Sequence, residues 1–377
     1  MPRPILATIS LPSLKHNLAT VIDRLDREGA AAGRARPFVW AVIKANAYGH
    51  GVDNAITGFA QADGLAMLDL DEAVRCRQAG WSKPILLLEG FFQPGDIAVI
   101  DRYGLTTALH SQAQLDMLEK AAPDSPIDAL VKLNTGMNRL GFQPGQYRAA
   151  YRQALALSQR GILGSLGKMT HFARADDDPG VTRTQLRVFD DATRDLPGKV
   201  SVCNSAATLT PGLWAGLPDQ AEHWVRPGIC LYGASPFAND PAASFGLRPG
   251  MTLSAEIISV RDIDAGDGVG YGHVFTASGP TTIGVVSCGY ADGYPRHAPT
   301  GTPITVGGVR TRLLGRVSMD MLVADLTHVP GPHVGMPVVL WGEGGPSVDD
   351  VALACGTIGY ELVCAVAPRV PRQVVSG

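Results

Sequence analysis

Short apolar segments alternate with longer amphipathic segments between Phe38 and Gly233. In Ser111 to Ala121 and in Pro144 to Gln159, apolar residues recur at intervals of three and four, which predicts helices. Short apolar segments between such helices are typical of a parallel sheet covered on both faces. Eight strand–helix units within about 200 residues predict an α/β fold with a closed (β/α)8 TIM-type barrel. The predicted strands are Phe38 to Ile43, Gly64 to Met67, Pro84 to Leu88, Leu105 to Leu109, Ile127 to Leu133, a segment ending at Thr170, Lys199 to Cys203, and Trp224 to Leu231.

The pattern changes after about Phe245 to β-branched segments separated by glycine, and helical periodicity nearly vanishes. This texture predicts a second, mostly β domain with turns at Gly266 to Gly272 and at Gly307 and Gly308. We therefore expect a barrel domain over residues 1–244 and a mostly β domain over residues 245–377. The first residues of the chain could join the second domain.

Composition narrows the class of partner. Charged residues make up 18% of the 377 residues, below the roughly 25% typical of soluble domains, so part of the surface is expected to be buried between subunits of a homo-oligomer. The formal charge of -3 includes no long run of either sign, which argues against a nucleic acid or a membrane surface as partner. Small molecules are the expected ligands.

Location and metal content are also constrained by the sequence. The N-terminal segment does not resemble a secretory signal, and no run of 18 uncharged apolar residues occurs. The six cysteines form no CxxC pair and mostly lie in apolar segments, as reduced cysteines of cytoplasmic proteins do. The nine histidines show no zinc-type ligand spacing, so we expect a cytoplasmic protein without a metal site.

Lys44 is the first candidate for chemistry. It is one of only seven lysines, and it follows the apolar segment FVWAVI at the end of the first predicted barrel strand. Active sites of such barrels lie at the carboxyl ends of the strands. A lysine held there with little water favours the neutral amine, which can form a Schiff base with a carbonyl group. The alternative is a strand-end lysine whose ammonium reaches solvent.

The segment AVIKANAYGHG resembles the cofactor-lysine motif of alanine racemases, a barrel-type group of pyridoxal 5'-phosphate enzymes. The resemblance extends over nearly the whole chain and implies an isomerase that acts on alanine, as a homodimer whose active sites are shared between subunits. Such an enzyme supplies D-alanine for cell-wall (peptidoglycan) precursors or serves alanine catabolism. Further matching segments follow in the family's order: VKLNTGMNRLGF, MTHFA, CNSAAT, VRPGICLYG, GYGHVF, GYADGYPR, GRVSMD and GTIGYE.

The resemblance implies that Lys44 holds the cofactor covalently and acts as one catalytic base, while Tyr271 acts as the other. Two bases suit racemisation, because a proton must leave one face of the α-carbon and another must arrive at the opposite face. A phenol must be stabilised by about 4 kcal/mol to act as a phenolate at neutral pH, so a cation is expected beside it.

Arg226 and His171, both at predicted strand ends, are the candidates for that environment. By resemblance, Arg226 donates to the pyridine nitrogen of the cofactor and His171 connects Arg226 with Tyr271. A guanidinium group is a donor only, so the ring nitrogen stays unprotonated and the ring becomes a weaker electron sink. The alternatives are a structural histidine and a surface arginine.

Phosphate donors are expected in the loops after the seventh and eighth barrel strands. Asn204 and Ser205 follow the seventh predicted strand, and Gly228 and Ile229 lie in the eighth. An alternative role for Ser205 is the N-cap of a helix that begins at AATL. The resemblance adds the hydroxyl groups of Tyr48 and Tyr360.

The resemblance also implies a substrate site. Arg139 matches the arginine that binds the substrate carboxylate, and Lys132 matches a lysine that is carbamylated in many relatives. Met319 and Asp320 match contacts near the substrate, and Tyr290 matches an aromatic residue of the entry channel. The sequence departs from the family pattern in GTIGYE, where a polar residue is expected in place of Gly359.

Other functions remain open on the sequence alone. Serine or broader amino-acid racemisation differs from alanine racemisation only in pocket size. A noncatalytic pyridoxal-phosphate-binding protein would explain Lys44 but not the second domain. A barrel-type decarboxylase is disfavoured by Arg226, and the GDGVGYG segment lacks the dinucleotide-binding spacing of a nicotinamide enzyme.

Overall fold

The apolar segments between Phe38 and Val225 form eight parallel strands in the computed structural model of the chain, which describes residues 3–218 and 222–376. Strand β1 (Ile5–Ser10) belongs to a second sheet. The eight parallel strands are β2 (Phe38–Val42), β3 (Gly64–Met67), β4 (Ile85–Leu87), β5 (Thr106–Leu109), β6 (Ile127–Lys132), β7 (Leu163–Met169), β8 (Lys199–Ser201) and β9 (Trp224–Val225).

These strands form a closed barrel. Consecutive strands from β2 to β8 are neighbours, and β9 pairs with β2 through Phe38 and Trp224. The Val200 N–H donates to the Glu222 carbonyl at 2.8 Å, which joins β8 to the chain entering β9. Most strand residues are buried, as expected for strands that face the barrel interior and the helices alternately. The predicted barrel is confirmed.

Amphipathic segments form the helices. Ser111 accepts a hydrogen bond from the Gln114 N–H, so the helix predicted from Ser111 begins at Gln112. The helices are α1 (Leu11–Ala31), α2 (Lys44–Tyr48), α3 (Val52–Gly58), α4 (Leu70–Gln78), α5 (Pro94–Arg102), α6 (Gln112–Lys120), α7 (Pro144–Gln159), α8 (Pro179–Thr193), α9 (Ser205–Leu209), α10 (Val348–Ala354) and α11 (Gly359–Ala365).

The eighth predicted strand was too long. Only Trp224–Val225 pairs as a strand, and Ile229–Tyr232 forms a 3-10 helix instead. Pro227 has no N–H to donate to a neighbouring strand, which favours the end of pairing there. The prediction of a second domain nearly without helices was also incomplete, because α10 and α11 lie within it.

The second sheet is mostly antiparallel. The strands after β9 are β10 (Met251–Ile263), β11 (Gly268–Val269), β12 (Phe275–Thr276), β13 (Thr281–Val286), β14 (Pro303–Val306), β15 (Val309–Leu314), β16 (Leu322–Asp325), β17 (Pro337–Trp341) and β18 (Arg372–Val375). The second sheet follows the order β13-β16-β15-β14-β17-β10-β1-β18, and a further pairing of β10 with β13 closes six of these strands into a ring. Gly307 and Gly308 form the two-residue turn between β14 and β15, with φ of 56° and 82°.

The chain divides into a barrel unit and a β unit. The barrel unit comprises Asn17–Ala47 and Ala55–Leu231, and the β unit comprises Tyr48–Asn54 and the described residues up to His16 and from Tyr232 onward. β1 pairs with β10, so the first residues of the chain join the β unit. The units divide between residues 231 and 232 rather than at the expected 244/245, since the segment after Leu231 packs on the β unit, where the Ser235 N–H donates to Asp349.

Candidate active site

Lys44 begins α2 directly beyond β2, and α2 is a left-handed turn. Ala45, Asn46, Ala47 and Tyr48 have φ of 57°, 51°, 53° and 51°. The left-handed conformation costs roughly 1–2 kcal/mol for each residue other than glycine, so the surrounding structure must hold the turn. The Ala47 N–H donates to the Ile43 carbonyl at 2.9 Å. Lys44 itself is half-buried.

Gly49 follows this turn, in the β unit. A Cβ atom at Gly49 would lie 2.2 Å from the Val363 carbonyl oxygen, and Gly49 has φ of 77°. The glycine therefore admits the backbone of α11.

Positive charge is concentrated at the carboxyl ends of the barrel strands. Lys132, on β6, has its pKa lowered to about 8, chiefly by burial and then by Arg226 and Arg139. Burial, Arg226 and Lys132 likewise hold the pKa of His171 well below its usual value. Lys44 acts on both groups in the same direction. This end of the barrel is therefore suited to an anionic ligand.

Arg226 is buried in the barrel, with 3% of its surface exposed. One guanidinium nitrogen donates to Ser201 Oγ at 2.6 Å, and the other donates to the Thr170 carbonyl at 2.7 Å. The second nitrogen also lies 3.4 Å from His171 Nδ1. Since guanidinium can only donate, Nδ1 of His171 is the acceptor, and a neutral His171 carries its proton on Nε2. The surface-cation alternative for Arg226 is therefore wrong.

Ser201 and Gln185 belong to this site, and the sequence interpretation did not include them. Ser201 ends β8 and donates to the Trp224 carbonyl at 2.8 Å, so its oxygen links Arg226 to the next strand. Gln185, buried on α8, donates to the His171 carbonyl at 3.2 Å. A serine within the apolar strand KVSVC was the available signal for Ser201.

The loop after β6 carries Arg139. Asn134 Oδ1 accepts hydrogen bonds from the N–H groups of Gly136 and Asn138, at 3.1 and 3.0 Å. This Asn-centred turn shapes the loop and leaves Arg139 exposed. Arg139, Lys132 and His171 line one small cleft.

The predicted phosphate loops meet in the barrel unit. Ser205 Oγ accepts the Gly228 N–H at 2.7 Å. Asn204, not Ser205, is the N-cap of α9, because its side chain accepts the Ala207 N–H at 3.1 Å. The N-cap alternative for Ser205 is therefore wrong. Ile229 is buried and begins the 3-10 helix that follows Gly228.

The two tyrosines proposed for phosphate binding lie together in the β unit. The Tyr48 ring centroid lies 4.7 Å from that of Tyr232 and 6.1 Å from that of Tyr360. Tyr232 was not a sequence candidate. Gly359 precedes Tyr360, and a Cβ atom there would lie 2.5 Å from Asp349 Oδ1. The glycine in GTIGYE thus has a physical reason, since the Asp349 carboxylate fills that space.

Tyr271 lies in a 3-10 turn of the β unit and is 73% exposed. Glycines with positive φ, Gly270 and Gly272, flank it.

Tyr290, Met319 and Asp320 form a separate cluster in the same unit. The Tyr290 N–H donates to the Ser318 carbonyl at 3.0 Å, which joins the two loops. Met319 is 54% exposed, which rules out a core role for it. Asp320 Oδ1 accepts a hydrogen bond from Arg369 at 2.5 Å.

Arg369 belongs to an ion network in this cluster. It also donates to the buried Asp292 at 2.7 Å, and Arg3 donates to the same carboxylate at 2.8 Å. Burial alone raises the pKa of Asp292, but the bonds from Arg369 and Arg3 outweigh it and leave the pKa below its usual value.

Three further features bear on function. Among the described residues, no group of three or more His, Cys, Asp or Glu side chains could hold a metal ion. No helix in the described part of the chain is long and apolar enough to cross a membrane. None of the six cysteines forms a disulfide, and only Cys364 is exposed.

Comparison with known proteins gives consistent matches over the whole chain. The family models described as alanine racemase, N-terminal domain, and alanine racemase, C-terminal domain, match residues 9–236 and 250–374. An alanine racemase of Bordetella avium is 64% identical over 377 residues, which is 100% of both chains. One of Ralstonia nicotianae is 54% identical over 380 residues, covering 99% of this chain and 96% of the relative. The crystal structure of the biosynthetic alanine racemase from Pseudomonas aeruginosa matches with a TM-score of 0.90 and 43% identity, covering 99% of each chain.

Proposed function

Because the chain belongs to the alanine racemase family, we propose that it is an isomerase that interconverts L-alanine and D-alanine with pyridoxal 5'-phosphate as cofactor. The observation that carries this proposal is the arrangement at the barrel mouth. A buried Arg226 donates to His171, and Lys44 lies close enough to lower the pKa of His171. This arrangement supports the roles that we propose for these three residues.

The donor set of the barrel fits the proposed cofactor. Pyridoxal phosphate needs an amine for its aldehyde, a partner for its ring nitrogen and donors for its phosphate. Lys44 offers the amine, Arg226 offers a donor-only partner, and Ser205, whose oxygen accepts the Gly228 N–H, offers a hydroxyl group for the phosphate. When bound, the cofactor supplies an electron-withdrawing ring that makes the α-proton of the amino acid more acidic.

The chain's own residues then have distinct tasks. We assign Lys44 and Tyr271 as the two bases, one for each face of the α-carbon, and Arg139 as the group that binds the substrate carboxylate. We assign His171, neutral because its pKa is low, as a hydrogen-bond donor, through its Nε2 N–H, to the oxygen of the Tyr271 that completes the site. Arg226 fixes the tautomer of His171 from the other side.

We propose a homodimer in which each active site takes Lys44 from one subunit and Tyr271 from its partner. An exposed Tyr271 supports this, since a base that must work away from water needs a covering surface. Six cysteines without a disulfide are in keeping with a reducing compartment, so we propose a cytoplasmic location.

The proposed function is tested by a spectrum and a chiral assay. Purified protein should show the visible absorbance of a lysine-bound pyridoxal group and should convert D-alanine to L-alanine. D-serine and larger amino acids are assayed in parallel. Faster turnover of D-serine than of D-alanine would replace the proposal with a serine or broad-specificity racemase, and protein without cofactor absorbance or turnover would refute it.

A further inference from the structure

The left-handed turn that begins at Lys44 is held by a residue outside it. The Asn46 N–H, in the middle of the turn, donates to Glu72 Oε1 at 2.7 Å. Asn46 has φ of 51° and ψ of 49°, a conformation that L-amino acids other than glycine rarely adopt. A carboxylate that accepts this N–H stabilises the left-handed conformation of the turn, because that conformation directs the N–H toward α4.

Glu72 does not take the position that its own helix predicts. It lies in the first turn of α4, three residues after the N-cap Asp69, whose side chain accepts the N–H groups of Asp71 and Glu72. This spacing is that of a capping box, in which the third-position carboxylate returns to the N-cap N–H. The structure places Glu72 Oε1 on the Asn46 N–H of α2 instead.

The second carboxylate oxygen of Glu72 indicates that this arrangement costs free energy that the stability of α4 by itself does not explain. Glu72 Oε2 is buried and has no hydrogen-bond partner among the described residues. Burial raises the pKa of Glu72, and the Asn46 N–H opposes that shift only in part. Of the other charged groups that act on Glu72, Asp69 raises its pKa and Arg75 lowers it. A half-desolvated carboxylate is thus retained where it can reach the lysine-bearing turn.

We propose that Glu72 is a positioning residue, whose carboxylate holds the Asn46 N–H and thereby fixes the direction in which Lys44 leaves the barrel strand. It acts through the backbone of α2 and does not itself exchange protons with substrate. The inference rests on the proposed function in one respect, because Lys44 is assigned there as the cofactor lysine.

The test compares four variants with the wild type. Glu72→Ala removes the acceptor. Glu72→Asp shortens the side chain by one methylene group, so the carboxylate no longer reaches the Asn46 N–H, and this variant replaces Glu72→Ala if the alanine variant does not fold. Glu72→Gln keeps a neutral carbonyl acceptor of the same length. Asp71→Asn is the matched control, because this substitution removes a carboxylate from the same helix turn at an exposed position.

Two readouts are measured on each protein. The first is hydrogen exchange of the Asn46 amide in cofactor-free protein, with the amides of α4 as internal reference. The second is the kcat and KM of alanine racemisation by the loaded enzyme. We expect exchange at Asn46 to rise at least about tenfold in Glu72→Ala and Glu72→Asp while α4 is unchanged. We also expect kcat to fall about tenfold with KM within about threefold, since the proton-transferring amine is misplaced. Glu72→Gln should stay within about threefold of wild type in both readouts, and Asp71→Asn should match wild type.

Wild-type exchange at Asn46 in Glu72→Ala would overturn the inference. Faster exchange that extends through α4 would also overturn it, because Glu72 would then only stabilise its own helix. The exchange readout separates this inference from the proposed function. If wild-type protein fails to racemise alanine, the proposed function fails, whereas the Asn46 exchange still decides whether Glu72 holds the turn.

Discussion

Two buried lysines of the barrel strands have different surroundings. Lys132 faces Arg226 and Arg139, and its pKa falls to about 8, chiefly through burial. Lys168 donates to the Leu196 carbonyl at 2.5 Å, and burial lowers its pKa. Neither follows a strand end in the way that Lys44 does, and Lys168, to which no role in the site is assigned, is the control for its assignment.

Lys44 should be the only lysine that carries the cofactor. Borohydride reduction of the loaded protein, followed by peptide mass spectrometry, should place the pyridoxyl group on Lys44. Lys44→Ala should lose that adduct and lower kcat by roughly 10²–10⁴, as expected on removal of an acid–base group. Lys168→Ala should keep both. A pyridoxyl group on Lys132 or Lys168 would contradict the assignment.

Ser201 should contribute to the stability of the folded protein. Ser201→Ala leaves a guanidinium nitrogen of the buried Arg226 without its acceptor at 2.6 Å, which should lower the free energy of unfolding by about 1.5–3 kcal/mol. Ser165→Ala, at an exposed position of β7, should change it by less than about 0.5 kcal/mol. Denaturant unfolding measures both. Equal stabilities would mean that Ser201 does not hold Arg226.

Residues with a local signal could be predicted from sequence, and residues defined by distant partners could not. Lys44 was conspicuous because a rare lysine follows an apolar strand. Ser201 meets Arg226 only because strands 25 positions apart in sequence lie side by side. Glu72 fitted a capping box, and nothing in its local sequence indicated a bond to Asn46.

Helices were predicted correctly where the periodic recurrence of apolar residues extended over several turns. The helix Pro144–Gln159 agrees with its prediction over 16 residues. Helices α10 and α11 have seven residues each, about two turns, which is too short for a clear pattern. The left-handed conformation of α2 could not be predicted from residue propensities, because no residue type other than glycine favours positive φ.

Asp349 links α10 to the segment after the barrel and should make stability depend on pH. Burial raises its pKa to about 6, although the Ser235 N–H donates to it at 2.7 Å. A raised pKa means that the protonated form is favoured on folding, so this contribution is complete below about pH 4 and is lost as pH rises through about 6. Asp349→Asn removes the titration and keeps a carbonyl acceptor for Ser235.

The stability of Asp349→Asn relative to wild type should therefore increase between about pH 4 and pH 6 and level off above. At about 1.36 kcal/mol per unit, the increase has a ceiling of about 3 kcal/mol. Denaturant unfolding at several pH values measures it. A difference that is constant, or that falls as pH rises, would contradict the raised pKa.

The whole molecule should work as a dimer with shared sites, which mixing can test. Lys44→Ala and Tyr271→Phe chains are each expected to be nearly inactive. When they are refolded together, about half of the dimers should be mixed, and each mixed dimer should hold one intact site of two. Activity should then return to roughly a quarter of wild type. If mixed dimers form and no activity returns, both residues come from the same chain.

The most direct measurement of the central claim follows the α-hydrogen of alanine in D2O. Cofactor-loaded protein is given L-alanine in D2O, and the reaction is stopped early. The two enantiomers of alanine are then separated, and the deuterium content of each is measured by mass spectrometry. Two bases on opposite faces predict that nearly all of the D-alanine carries deuterium, because the proton removed by one base is not the one returned by the other. D-alanine that retains the original hydrogen would contradict the two-base account, and the absence of D-alanine would contradict the racemase itself.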